Sequence, residues 1–499
     1  MNLVDFKKVR FETLGCRLNQ IESEATAKYF VDKGFSVCVE PLSSITEEDN
    51  FTSLCIINTC TVTQKAEQKA RRLIRLCARK FPNAVIIVTG CYAQLSPKEI
   101  CDIDSHVCAV GGQIKSRLVE VPDLLDKALA AAFAKGGDDV NTCNWNPVDF
   151  IKIINEKITG AAQDKASFPE NSFKLSTSSF ISHSRASLKI QDGCNNSCSY
   201  CAIHIARGHS VSIDVQTAID RVKELEESGH DEVVLTTVNI GQYKGLYNGK
   251  YLNFAQLLVK LLENTTSINF RISSLYPEIV NDEFCSAIAS SRVRPHFHLS
   301  VQSGSDRILS SMNRNYVADD VVKACDLIRS VKPDAFIACD IITGFPGEED
   351  SDFEDTMALC KRCDFAWVHA FPYSERPGTA AASMKHKVPQ SVSGERCSQL
   401  VRWAKDNKIN YINKFKGDVR PAILETIRRP AVLAASLGGG RLPNRELVYH
   451  AVTDNFLHCE LRSDIKMEAG KTILIRITGP LEDRIEKGGE IEAAASIIR

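Results

Sequence analysis

Between Gln191 and Gly208 the chain reads QDGCNNSCSYCAIHIARG, which places Cys194, Cys198 and Cys201 within eight residues. A disulfide would leave one of these thiols over. A zinc ion would need a fourth ligand, for which His204 and His209 are the nearby candidates. An iron–sulfur cluster fits the set better, since thiolates are its usual ligands. Three ligands leave one iron of a four-iron cluster open to something that is not protein. A further pair, Cys360 and Cys363 in CKRC, has redox or metal spacing but no partner pair nearby. It reads as two neighbouring cysteines on one helix face.

The elements that must position such residues follow from the apolar patterning. KVRFETLGC reads as a strand ending in a turn, and NQIESEATAKYFVDKGF as a helix stopped by Gly34. SLCIINTC and NAVIIVTGCYAQ read as two more strands, with the basic amphipathic helix EQKARRLIRLCARKF between them. This alternation predicts a small parallel sheet. Cys16, Cys60 and Cys91 each fall just past the C-terminal end of a strand, the edge where open α/β sheets bind ligands. Cys38, Cys77, Cys285, Cys325, Cys339, Cys397 and Cys459 read as buried apolar residues.

From Gly160 to Ser184 the composition turns to Ser, Asn, Thr and Lys, which reads as a linker. Strand patterns then resume in ASLKIQ, DEVVLTTV, NFRISSL, HFHLSV, AFIACDIIT and FAWVHAFPY, separated by helical ones. They predict a partial or full parallel (β/α) barrel, with chemistry at strand C-terminal ends. Cys194 directly follows the first of these strands. From about Lys416 short strands broken by Gly and Pro predict a small all-β barrel of a kind often used to hold nucleic acid. The expected fold class is α/β. Its parts are a parallel α/β domain over 1–155, a linker over 156–184, the (β/α) barrel over 185–415 and the β barrel over 416–499.

A chain of 499 residues exceeds one hydrophobic core. Its 61 basic and 62 acidic residues nearly cancel, so a nucleic-acid partner must be met by local patches. Lys65, Lys69, Arg71, Arg72, Arg75, Arg79 and Lys80 gather in one helix, and Arg428 and Arg429 form a smaller patch. Nineteen cysteines without a secretory signal indicate a reducing compartment. No apolar run approaches the roughly 20 residues of a membrane helix. These features predict a soluble, cytoplasmic protein.

The three-cysteine stretch resembles the C-x3-C-x2-C motif of the radical S-adenosylmethionine (SAM) superfamily. With the upstream trio, the words FETLGCRLNQIESE, IINTCTVTQKAEQKARR and VTGCYAQ narrow the resemblance to the methylthiotransferases. They look like the branch that modifies threonylcarbamoyladenosine in tRNA. RISSLYPE, HFHLSVQSGSDRILSSMNRNY, CDIITGFPGE and HAFPYSERPGTAAASM extend the match over nearly the whole chain. The C-terminal barrel stands where the family carries a TRAM domain, on position and strand content alone. His204, Thr237 and Ser300 depart from the family's usual proline, glycine and proline, while Arg207 and Gly208 are kept.

The resemblance implies two [4Fe-4S] clusters with different tasks. Cys194, Cys198 and Cys201 would hold the catalytic one, whose open iron chelates SAM for one-electron cleavage to a 5′-deoxyadenosyl radical. Tyr200 would pack by the adenine of SAM. Gln302, Ser303 and Gly304 would approach its ribose or carboxylate, the bland alternative being a strand-to-helix turn with a serine cap. Arg207 would orient substrate or SAM. Cys16, Cys60 and Cys91 would hold an auxiliary cluster carrying the sulfur. The implied reaction is methylthiolation at C2 of threonylcarbamoyladenosine 37 of tRNA, fed by an electron donor such as flavodoxin or ferredoxin. The sulfur source stays open. Rival readings are the same chemistry on isopentenyladenosine 37 or on a ribosomal-protein aspartate, and a non-catalytic RNA-binding module.

Overall fold

The computed structural model describes residues 3–134, 144–160, 173–175, 185–425 and 447–498. The predicted linker, apart from 156–160 and 173–175, and the Arg428–Arg429 patch lie outside the described residues. The chain divides into two compact units. The first comprises Met1–Ser182, Lys189–Val211 and Ser374–Ala382; the second comprises His183–Leu188, Ser212–Tyr373 and Ser383–Arg499. The three-cysteine stretch therefore groups with the N-terminal sheet.

In the first unit, β1 (Lys8–Thr13), β2 (Ser36–Cys38), β3 (Thr52–Thr59), β4 (Val85–Gly90) and β5 (Val107–Gly111) form a parallel sheet in the order β2-β1-β3-β4-β5. One face packs Leu54, Ile56, Val85 and Ile87 against Phe30 of helix α1 (Arg17–Asp32). The other packs Cys55, Ile57, Ile86 and Val88 against Ala70, Ile74 and Cys77 of α2 (Gln64–Lys80). Burial on both faces is why SLCIINTC and AVIIVTG read as continuous apolar runs. The Thr63 side chain caps α2 by accepting from the Ala66 amide at 3.2 Å, so the helix starts just after the Cys60 turn. A short helix, α3 (Ile203–Arg207), follows the three-cysteine stretch. The sequence reading missed β2, a three-residue edge strand, and β5, which follows two one-turn helices.

The second unit holds the six predicted barrel strands, β6 (Ala186–Lys189), β7 (Glu232–Thr236), β8 (Asn269–Ile272), β9 (His296–Gln302), β10 (Phe336–Thr343) and β11 (Trp367–Pro372). They form the sheets β8-β7-β6 and β9-β10-β11, joined by a bridge between Leu275 and Leu299. Among the described residues β6 and β11 do not pair, so the barrel is partial. Helices α4 (Asp350–Arg362) and α5 (Gln390–Lys414) follow β10 and β11.

The C-terminal strands β12 (Val419–Leu424), β13 (Leu447–Thr453), β14 (His458–Ser463), β15 (Thr472–Pro480) and β16 (Ala493–Ile497) close a small barrel in the order β12-β13-β14-β16-β15. Its core residues Tyr449, Ala451, Leu461 and Ile475 continue into Phe336 of β10 and Tyr411 and Ile412 of α5. This shared core groups the barrel with the six strands. Among the described residues no helix is long and apolar enough to cross a membrane.

Candidate functional site

Cys16 and Cys91 each follow a glycine with positive φ, Gly15 at +107° and Gly90 at +94°. A Cβ on Gly15 would run into the Cβ of Cys60, and one on Gly90 into the Thr59 carbonyl. Only glycine lets both turns close onto the end of β3, which carries Cys60. Asn19 pins the arrangement: its Nδ2 donates to the carbonyls of Leu14 at 2.9 Å and Thr59 at 3.1 Å. Cys60 and Cys91 are 6% and 3% exposed, and Cys16 is exposed. Burial, followed by the nearby Cys91 and Cys16, pushes the Cys60 thiol up to about 12. Burial also raises the Cys91 thiol, against the opposing pull of Arg207 and Lys115. The three predicted ligands of one trio are thus together at the C-terminal edge of the sheet.

The second trio lies on one tight turn in the same unit. The Cys194 amide donates to the Gly208 carbonyl and the Cys201 amide to the Cys198 carbonyl, both at 3.0 Å. The amides of Asn196 and Ile203 donate to the sulfurs of Cys194 and Cys201, each at 3.4 Å. Such N–H···S bonds are among the levers that tune iron–sulfur clusters. Cys194 and Cys198 are buried, while Cys201 and Tyr200 are half-buried. The Ala381 amide donates to the Ser199 carbonyl at 2.7 Å, tying the segment Ser374–Ala382 to this turn.

Among the described residues, one His/Cys/Asp/Glu group has three ligand atoms within 4.8 Å of one another, and it is His450, His458 and Glu490. Neither cysteine trio is that tight, which suits thiolates bound to separate irons and disfavours a single zinc ion. The pair of histidines shares a 3.0 Å hydrogen bond. Burial, His450 and the cations Arg185, Lys408 and Arg271 hold His458 well below the ordinary imidazole range.

Arg207 has its side chain 3% exposed, turned toward Glu22, Asp192 and Asn19 of the first unit. In the second unit Gln302 is buried with φ +71°, a strained conformation for a non-glycine residue. The Ser303 hydroxyl accepts from the Ser305 amide at 3.2 Å, and the Gly304 amide donates to Thr356 Oγ1 of α4 at 2.9 Å. Those two residues build the strand-to-helix turn.

On α2, Arg71 bonds Tyr92 and Glu99, both at 2.9 Å, and Lys80 lies 3.9 Å from Glu48. Lys65, Lys69, Arg72, Arg75 and Arg79 form an exposed stripe. The CKRC cysteines are free thiols with different neighbours, Cys360 beside Cys339 and Cys363 beside Cys325. Residues that sequence reasoning missed are Arg376, Glu22, Lys115, Lys189 and Asp192. Arg376 lies in the word SERPGT, the one signal that could have flagged it.

Residues 188–360 match the model of the Radical SAM superfamily, and residues 8–112 match that of Uncharacterized protein family UPF0004. The class is therefore that of radical SAM proteins with a second, sheet-borne module ahead of the cluster motif. Threonylcarbamoyladenosine tRNA methylthiotransferase MtaB of Treponema pallidum is 40% identical over 94% of this chain and 98% of its own length. The protein of the same name from Thermotoga maritima is 35% identical over 86% of this chain and 89% of its own. The chain belongs to the threonylcarbamoyladenosine tRNA methylthiotransferase family. Among solved structures, the radical S-adenosylmethionine methyltransferase TsrM from Kitasatospora setae aligns with a TM-score of 0.47 and 13% identity, covering 75% of this chain and 77% of that one.

Proposed function

We propose that this protein installs a methylthio group at C2 of N6-threonylcarbamoyladenosine 37 in tRNA. The observation that carries the reading is the presence of two complete three-cysteine sites in one unit, in a chain of this family. When bound, two [4Fe-4S] clusters and SAM supply the one-electron chemistry, the sulfur and the methyl group.

The chain's own residues hold and orient these groups. Cys194, Cys198 and Cys201 would hold one cluster and leave an iron free for SAM, and Tyr200 would pack by its adenine. The turn of Gln302, Ser303 and Gly304 would offer its backbone to the ribose or carboxylate of SAM. Cys16, Cys60 and Cys91 hold the auxiliary cluster. Their thiols, raised by burial at Cys60 and Cys91, give up protons as metal binds.

Lys65, Lys69, Arg72, Arg75 and Arg79 contact phosphates, which position RNA without reading its sequence. The anticodon-loop adenine is unstacked to reach the reacting groups. Electrons come from a flavodoxin- or ferredoxin-type donor, and the site of action is the cytoplasm. The test is expression in a host lacking its own enzyme, followed by mass spectrometry of tRNA nucleosides. Methylthiolated threonylcarbamoyladenosine is the expected product. The isopentenyladenosine derivative in its place would reassign the substrate.

A further inference from the structure

Arg207 stands six residues after Cys201 in the chain, yet its guanidinium serves the other trio. Nη1 donates to Asp192 Oδ1 at 2.8 Å and Glu22 Oε1 at 3.3 Å, and Nη2 donates to Asn19 Oδ1 at 2.9 Å. The Arg207 charge also pulls the Cys91 thiol down against its burial. Asn19 is the residue that pins the turns of Cys16 and Cys60 through Leu14 and Thr59. One side chain therefore reaches the turns of Cys16 and Cys60 through a single intermediary, and its charge is felt at Cys91.

Behind Arg207 lies a closed set of buried charges. Lys189 Nζ donates to Glu22 Oε1 at 3.1 Å and Asp192 Oδ2 at 2.9 Å, and Lys115 pairs with Glu22 Oε2. Burial alone would raise the Glu22 carboxyl, but Lys115, Arg207 and Lys189 outweigh it and hold it down to about 2. Each carboxylate is thus paired with two or more of these cations. Arg207, Lys115 and Lys189 face Glu22 and Asp192 in a buried network on the side of the sheet edge that carries the trio. A thiolate-bound cluster is an anionic partner for it.

We propose that Arg207, backed by Glu22, Asp192, Lys115 and Lys189, is a positioning device that sets the reduction potential of the auxiliary cluster. This rests on the reading above that Cys16, Cys60 and Cys91 hold such a cluster. A buried positive charge beside the trio favours the reduced cluster, because reduction adds negative charge there. Glu22, as an anion in the same network, acts in the opposite direction.

The test uses the full-length chain with Cys194, Cys198 and Cys201 all changed to alanine, so that only the auxiliary cluster remains. After anaerobic reconstitution, its midpoint potential is read by EPR-monitored redox titration. In this background Arg207→Gln should move the potential negative, by about tenfold in the one-electron reduction equilibrium, or about 59 mV. Glu22→Gln should move it positive, and Arg207→Lys should lie nearer the parent. Opposite signs for the two neutralising variants are not expected of a merely structural role.

An unmoved potential, or shifts of one sign in both variants, overturns the proposal. If Arg207→Gln loses its iron, Arg207→Lys decides. A cluster recovered with lysine at a potential near the parent's sustains the proposal, and a cluster missing from both variants contradicts it. No iron in the background protein itself would overturn the cluster reading, and this inference with it.

Discussion

Arg376 donates to Glu67 Oε1 at 2.6 Å, joining residues 309 apart in the chain, and to the Thr61 carbonyl at 3.1 Å. The side chains are 4% and 17% exposed. Thr61 follows Cys60, so this ion pair fastens the segment Ser374–Ala382 to the turn that carries a proposed cluster ligand.

Arg376→Ala strands the Glu67 carboxylate in a largely buried place, a change expected to destabilise the first unit by about 3 kcal/mol. Thermal unfolding should show a lower midpoint, and iron analysis a deficit from the Cys16–Cys60–Cys91 site. Glu67→Gln keeps an acceptor and should lose less. An Arg376→Ala protein that melts with the parent and keeps its iron would show that the pair contributes nothing.

Acid stability of the second unit should depend on Glu232. Burial would raise this carboxyl, but Arg271, Arg294 and Arg185 hold it down to about 2, from an ordinary 4.5. The folded carboxyl therefore takes up its proton later than the unfolded one as pH falls. Its contribution, on the order of 3 kcal/mol, is fully present above about pH 4.5 and drains away toward pH 2. Urea unfolding across that range should show the decline. Glu232→Gln should be less stable at neutral pH and flatter with pH; a parent-like slope in the variant would assign the acid sensitivity elsewhere.

The stripe on α2 should be visible in the salt dependence of tRNA binding. Changing Lys65, Lys69, Arg72, Arg75 and Arg79 to glutamine should flatten the plot of log affinity against log salt by roughly 0.7 to 0.9 for each phosphate no longer neutralised. The weakening should be uniform across tRNA sequences. An unchanged slope in filter-binding or anisotropy titrations would mean that this face is solvated helix surface.

Much of this site was legible in the sequence. Strands buried on both faces, such as TSLCIINT and VIIVTG, announce themselves as apolar runs, and a cysteine after each marks a ligand-binding edge. The six barrel strands and the five-stranded C-terminal barrel were readable for the same reason of patterning.

The grouping of the cysteine turn with the first sheet was not readable. It depends on Glu22, Lys115, Lys189 and Asp192, which read as ordinary surface charges, and on Arg207, which reads as a residue orienting substrate or SAM. Only their long-range pairing makes them interior residues. Arg376 was hidden likewise, because no periodicity reports a partner 309 residues away. CKRC has the spacing of a pair, yet each of its free thiols neighbours a cysteine on another element.

The radical-generating assignment has its own test. Replacing Cys194, Cys198 or Cys201 with alanine should abolish 5′-deoxyadenosine formation and methylthiolation together. SAM cleavage at the parent rate in any of these variants would refute it.

The most direct measurement is made on the triple variant Cys16→Ala, Cys60→Ala, Cys91→Ala. Iron content, 5′-deoxyadenosine and methylthiolated tRNA nucleoside are all read from one anaerobic reaction. Two sites with separate tasks predict about half the parent's iron, since one of two similar clusters remains. They also predict continued 5′-deoxyadenosine formation and no methylthio transfer. Full iron, or any methylthiolated product from this variant, would contradict the division of labour between the two cysteine trios.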